Sequence, residues 1–143
     1  MDLGSCYLGG NADAVEFCPH RPFRHVLAAA TYTLQEQECD RAGTISLFSV
    51  DAASEDASRR LQLLHTVETA GIFDMKWSPK SPLLAQADAH GRLALRRLEQ
   101  EDGSDTGYLC FVSALNFFLP YKNVVSLKLD RCRGMHLLRC RKL

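Results

Sequence analysis

Several features are missing from this chain of 143 residues, and each absence narrows what it does. There is no net charge, because Lys+Arg and Asp+Glu are each 17. No global field then draws the chain to nucleic acid or to a membrane surface, and neither is expected as a partner. The opening MDLGSCYLGGNADA carries an early Asp and has neither a basic n-region nor an apolar core, so no signal peptide is expected. The longest apolar-rich stretch, Tyr108 to Tyr121, is interrupted by Ser113 and Asn116 and is too short to span a bilayer. The cysteines at positions 6, 18, 39, 110, 132 and 140 are scattered rather than framed. Together with the missing signal, that predicts free thiols in a reducing cytoplasm. What is present is ordinary for a folded chain: 46% hydrophobic and 24% charged residues, enough for one domain with a real core.

The informative feature is an internal repeat. AVEFCP (Ala14 to Pro19) parallels DMKWSP (Asp74 to Pro79), HVLAAATY (His25 to Tyr32) parallels PLLAQADA (Pro82 to Ala89), and GTISLFSV (Gly43 to Val50) parallels GRLALRRL (Gly91 to Leu98). The offset between the copies falls from 60 (Phe17 to Trp77) to 57 (His25 to Pro82) to 48 (Gly43 to Gly91). Longer loops in the first copy account for this, above all the polar stretch Gln35 to Ala42, which suits an exposed loop. Each copy then holds three strands: Val15–Phe17, Val26–Ala30 and Thr44–Val50, followed by Ile72–Trp77, Leu83–Ala87 and Arg92–Leu98. A fourth strand-like segment, Leu61 to Glu68, lies between the copies.

Pro19 and Pro79 fall just past a strand, where a missing ladder donor does no harm. Gly43 and Gly91 fall at strand entry, where a positive φ suits only glycine, and Asp88 can bond the amides of its own turn. Phe17 and Trp77 are expected as core anchors. Four short strands at a period of about 40–60 residues mark a β-propeller blade.

The ordered series ADAVEFCP, HVLAAATYTL, GTISLFSV, ETAGIFDMKWSP and LLAQADAHGRLALRRLE resembles the N-terminal part of a WD-repeat family of diphthamide biosynthesis, the methylated-diphthine methylhydrolases or diphthine methyltransferases. The likeness runs from Ala12 to about Gln100, roughly two blades. It implies an all-β fold, a partial WD-type β-propeller of about two antiparallel four-stranded blades over residues 1–100. It also implies a cytoplasmic carboxylic ester hydrolase that demethylates methylated diphthine on translation elongation factor 2, without a cofactor. The sequence departs from the family in two ways. The Trp-Asp pair is replaced by Phe48-Ser49 and by Arg96-Arg97, and after Gln100 no strand-Trp-Ser-Pro unit follows. Residues 101–143 are expected to be a divergent basic tail, disordered or partly helical, as in a short isoform whose last segment comes from another exon or an intron. Such a form is expected to lack activity unless its two blades suffice. A non-catalytic scaffold is the alternative, since the fold does not specify function.

Ester hydrolysis needs a nucleophile or activated water, a base, and donors for the oxyanion. G-x-S-x-G is absent, since Gly103-Ser104 continues as Asp105-Thr106-Gly107. Candidate bases are His20, His25, His65 and His90, with Asp74 and Asp88 as orienting groups. His90 is the foremost of them because its turn reaches a propeller face, but the catalytic residues stay unassigned. Cys132, His136 and Cys140 would share one face of a helix, but three ligands without a fourth assign no metal. Cys18 with His20 and His25 is no better. If helical, the end RCRGMHLLRCRKL would set Cys132, Met135 and Leu138 beside its arginines, but a basic run without base-stacking aromatics reads more readily as a solvated tail.

Overall fold

In the computed structural model the protein is all-β. The structure describes residues 4–36, 40–100, 107–116, 125–132 and 135–142, with side chains in residues 4–36, 40–100 and 107–114. Strands β1 (Asn11–Phe17), β2 (Val26–Gln35), β3 (Asp40–Val50) and β4 (Leu61–Ala70) form one antiparallel sheet in chain order. Strands β5 (Ile72–Trp77), β6 (Leu83–Asp88), β7 (Arg92–Gln100) and β8 (Gly107–Asn116) form a second with the same order. Two four-stranded meanders with almost no helix make a partial β-propeller of about two blades. They stack with first strand on first strand, β1 against β5, while β4 approaches β8.

Period-two alternation decides which residues meet between the sheets. In the first sheet Ala14, Ala28, Ala30, Ile45, Leu47 and Val67 share a face through the pairs Ala14↔Ala30, Ala28↔Leu47, Ala30↔Ile45 and Ile45↔Val67. They enclose one core with Ile72, Met75, Trp77, Leu84, Leu98 and Leu109 of the second sheet. The two alanines leave room for the bulky Met75 and Trp77, so that the layers interdigitate at interior density. Glu16 then clamps the first strands together. Its carboxylate accepts the Trp77 backbone N–H at 2.9 Å and the Lys76 ammonium at 3.2 Å, and its carbonyl oxygen accepts the Trp77 indole N–H at 3.2 Å.

Four expectations change. The stretch Gln35 to Ala42 is not a long loop: β2 continues to Gln35 and β3 begins at Asp40. The shrinking offset therefore reflects mainly longer strands, β2 having 10 residues against 6 in β6. Phe17 is not a core anchor. Trp77 is buried against the first sheet, but Phe17 lies on the opposite face of that sheet, where it is half exposed. Gly43 has no positive φ, in contrast to Gly91 at +72°. It lies inside β3 and is needed for closeness, because a Cβ there would land on the Thr31 carbonyl oxygen and sit 2.9 Å from the Gly71 Cα. Finally, the second sheet takes its fourth strand from beyond residue 100, since β8 pairs with β7 from Gln100↔Gly107 to Arg92↔Asn116.

Strands β9 (Val125–Cys132) and β10 (Met135–Lys142) pair as an antiparallel hairpin. The helical spacing considered for Cys132, His136 and Cys140 therefore does not arise. The residues Met135 to Leu138, read as a helical stripe, are extended in β10 instead. Arg139, Arg141 and Lys142 of the expected basic tail fall within the β10 backbone.

Two substitutions test this packing by urea unfolding followed by far-UV circular dichroism. Leu47→Ala opens a cavity in the inter-sheet core and is expected to cost about 2–5 kcal/mol. Gly43→Ala is expected to cost more than about 1 kcal/mol despite adding only a methyl group, because the backbone has to separate. An unchanged midpoint for Gly43→Ala would contradict the close approach of Thr31, Gly43 and Gly71.

Candidate functional site

The β2–β3 turn, the β4–β5 junction and the β6–β7 turn gather at one end of the two sheets. Gly71 links them: its N–H donates to the Arg41 carbonyl at 2.6 Å, and its carbonyl accepts the Ala89 N–H at 2.8 Å. The sequence DAHGR then builds a tight turn around a buried carboxylate. Asp88 Oδ1 accepts the backbone N–H groups of His90 (3.0 Å) and Arg92 (3.1 Å), while Oδ2 accepts the Arg92 guanidinium at 2.8 Å. Gly91 supplies the left-handed residue that closes the turn. Asp88 is thus the turn former that its position suggests.

This turn aims His90 across the junction. Its Nε2 lies 2.9 Å from Asp40 Oδ1 on β3 of the other sheet. Next to Asp40, the Arg41 guanidinium donates to the Tyr32 hydroxyl at 2.7 Å, and the Tyr32 ring lies 5.4 Å from that of Phe73. The imidazole holds the Asp40 carboxyl below its ordinary value of 3.8, helped by the Arg41 backbone N–H. Both partners of the pair are about half exposed, so the energetic worth of the contact is small. Chemically, a histidine oriented by a carboxylate can take up or hand on a proton. Arg41 and Tyr32 are cationic and hydroxyl groups at the same end.

The structure separates the other sequence candidates. Asp74 caps its own strand by accepting the Met75 N–H at 2.9 Å and orients no histidine. His20 is at the opposite end, with Nε2 2.7 Å from the Ser78 carbonyl oxygen, which fixes that nitrogen as the donor. His25 closes an exposed 3-10 turn, Phe23–His25. His65 sits in mid-β4, opposite Leu47. Cys18 is buried, and burial pushes its thiol up from 9.0 despite a hydrogen bond from the His20 backbone, so it is a poor nucleophile. Among the described residues no three His, Cys, Asp or Glu side chains are grouped to hold a metal.

Sequence reasoning missed Asp40, Arg41 and Tyr32. Gln35 to Ala42 reads as polar loop, and nothing local shows that a strand start 50 residues away faces the His90 turn. The polar run interrupted by Ala42 and Gly43 was the available signal.

Comparison with known proteins adds a family. No protein-family model matches the chain, and no solved structure matches it significantly. The protein named diphthine methyltransferase from Homo sapiens is 31% identical over 112 residues, covering 65% of this chain and 25% of that protein. Its namesake from Mus musculus is 31% identical over 138 residues, covering 86% of this chain and 28% of that protein. The chain spans about a quarter of the length of the curated relatives it matches.

Two measurements check the site. Carboxyl titration by NMR is expected to place Asp40 below 3.8. Because the folded value is lowered, its small stabilisation is present above the unfolded value and is lost as pH falls through the folded one. His90→Ala should move the midpoint back up, and no movement would break the pairing. Thiol labelling followed by peptide mapping should modify exposed Cys6 rapidly and buried Cys18 only on unfolding.

Proposed function

This chain is a distant relative of the diphthine methyltransferases, and we propose on that footing that it serves in diphthamide synthesis. The reaction proposed is hydrolysis of the methyl ester of methylated diphthine on translation elongation factor 2, in the cytoplasm. Water adds to the ester carbonyl, methanol leaves, and a carboxylate remains for later amidation. The observation that carries the reading is the identity to the mouse relative over 86% of this chain. The His90–Asp40 pair supports it as a base able to take the proton of the attacking water. No helix among the described residues is long and apolar enough to cross a membrane.

A second reading, a non-catalytic module that holds the elongation factor, is favoured by one observation. Among the described residues, no hydroxyl or thiol is hydrogen-bonded to the imidazole ring of His20, His25, His65 or His90. Activated water is then the nucleophile that remains for the first reading.

One experiment separates the two. Purified chain is incubated with elongation factor 2 carrying methylated diphthine, with methanol release and co-sedimentation measured together. Ester hydrolysis predicts release that falls at least about a hundredfold in His90→Ala, the order expected for loss of a general base. Binding without release establishes the module instead. Neither binding nor release overturns both readings.

A further inference from the structure

The two sheets repeat one another in register, so a position where their chemistry departs is informative. At offsets of 57 and 48 residues the pair Leu27↔Phe48 becomes Leu84↔Arg96, and the pair Phe48↔Leu63 becomes Arg96↔Phe111. Both copies place a register shift at the same point, between Leu47 and Phe48 and between Leu95 and Arg96. Ala29, on the same face as Phe48, becomes Gln86. In the first sheet Ala29 and Phe48 are buried, at 4% and 3% exposed, so the fold fills this position with apolar atoms alone. The second sheet puts an amide and a guanidinium there, and nothing in the strand pairing requires them.

That guanidinium is held in place. Arg96 Nε donates to Gln86 Oε1 at 2.7 Å, and Gln86 is only 2% exposed, so the core fixes the acceptor. The Arg96 Cζ lies over the Phe111 ring, 5.9 Å from its centre. Phe111 is 60% exposed, which leaves this side of the group open to solvent. Arg96 itself is partly buried, and among the described residues no carboxylate pairs with it. Asp88 is taken by Arg92 at 2.8 Å, and Glu99 by Arg97 at 3.9 Å and by the Cys110 thiol at 3.5 Å. Burial, and then the Arg92 charge, lower the Arg96 pKa, so the nearby charge adds to its cost rather than offsetting it. A guanidinium fixed at Nε and on one face keeps its two Nη atoms as a fork, the geometry that grips two oxygens of one anion. A partly desolvated cation without a counter-charge gains from such a partner.

We propose that Arg96 is the centre of an oxyanion-binding site on the second sheet, its Nη fork taking two oxygens of a carboxylate or phosphate group. Gln86 and Phe111 orient the guanidinium, and Arg92 adds positive field from the same face of β7. Arg96 stands four residues along the strand from Arg92, about 13 Å at about 3.3 Å per residue. The site is therefore separate from the His90–Asp40 pair beyond Arg92, and it is independent of ester hydrolysis.

Titration of the full chain with inorganic phosphate, and separately with malonate, tests this at constant ionic strength, with chloride as the reference. The NMR resonances of the Arg96 Nε–H and the Gln86 side-chain amide are expected to shift saturably with phosphate, with malonate or with both, and to stay in place with chloride. Saturation by phosphate alone assigns a phosphate ligand, and by malonate alone a carboxylate. Arg96→Phe installs the residue of the first copy, so it should keep the β-sheet dichroism. Affinity followed at the Gln86 amide should then fall at least about tenfold, as expected for loss of a charge-assisted pair. No saturable shift with either anion, an equal shift with chloride, or affinity that Arg96→Phe leaves intact would overturn the proposal. The wild-type Arg96 resonance decides the matter alone if Arg96→Phe does not fold.

Discussion

Met75 and Trp77 of β5 sink into the surface formed by Ala28, Ala30, Ile45 and Leu47, and the remainder of the structure depends on that contact. A four-stranded meander leaves an apolar face that has to be buried against another element, and stacking a second sheet supplies that cover. Small residues on β2 and large ones on β5 make the stacking close. Glu16 adds directionality: a carboxylate between two strands, satisfied by a backbone N–H and an ammonium, favours one register of β1 over β5. Gly43 allows the same approach at the far end, where a side chain would collide with Thr31.

The candidate site is a by-product of that stacking. Asp40 begins a strand of one sheet and His90 sits in a turn of the other, and they meet because the sheets are held at a fixed spacing. Gly71 carries the constraint, bonding Arg41 on one side and Ala89 on the other. The chemistry of the pair is thus coupled to the inter-sheet core, and loosening the core would loosen the pair. The chain is a distant relative of the diphthine methyltransferases over the quarter of those proteins that it spans.

Much of this was legible in the residues and some of it was not. The seven strand segments of the first 100 residues can be read from their alternation, and the turn role of Asp88 follows from the His-Gly that trails it. Strand β8 was missed because GYLCFVSALN is nearly uniform in hydropathy and carries no Trp-Ser-Pro stop. Phe17 was misjudged for a different reason. An aromatic residue at a strand position marks a face that packs, but it does not say whether another sheet is there to pack on it.

The sequence by itself determined the strands, their order and the repeat that relates the two sheets, because alternation and turn chemistry act over a few neighbouring residues. Only the tertiary structure decided which of two equivalent faces is buried, and that His90 finds Asp40 rather than Asp74 or Asp88. Both depend on how one sheet is seated on another across some 50 residues of chain, and no local pattern encodes that distance.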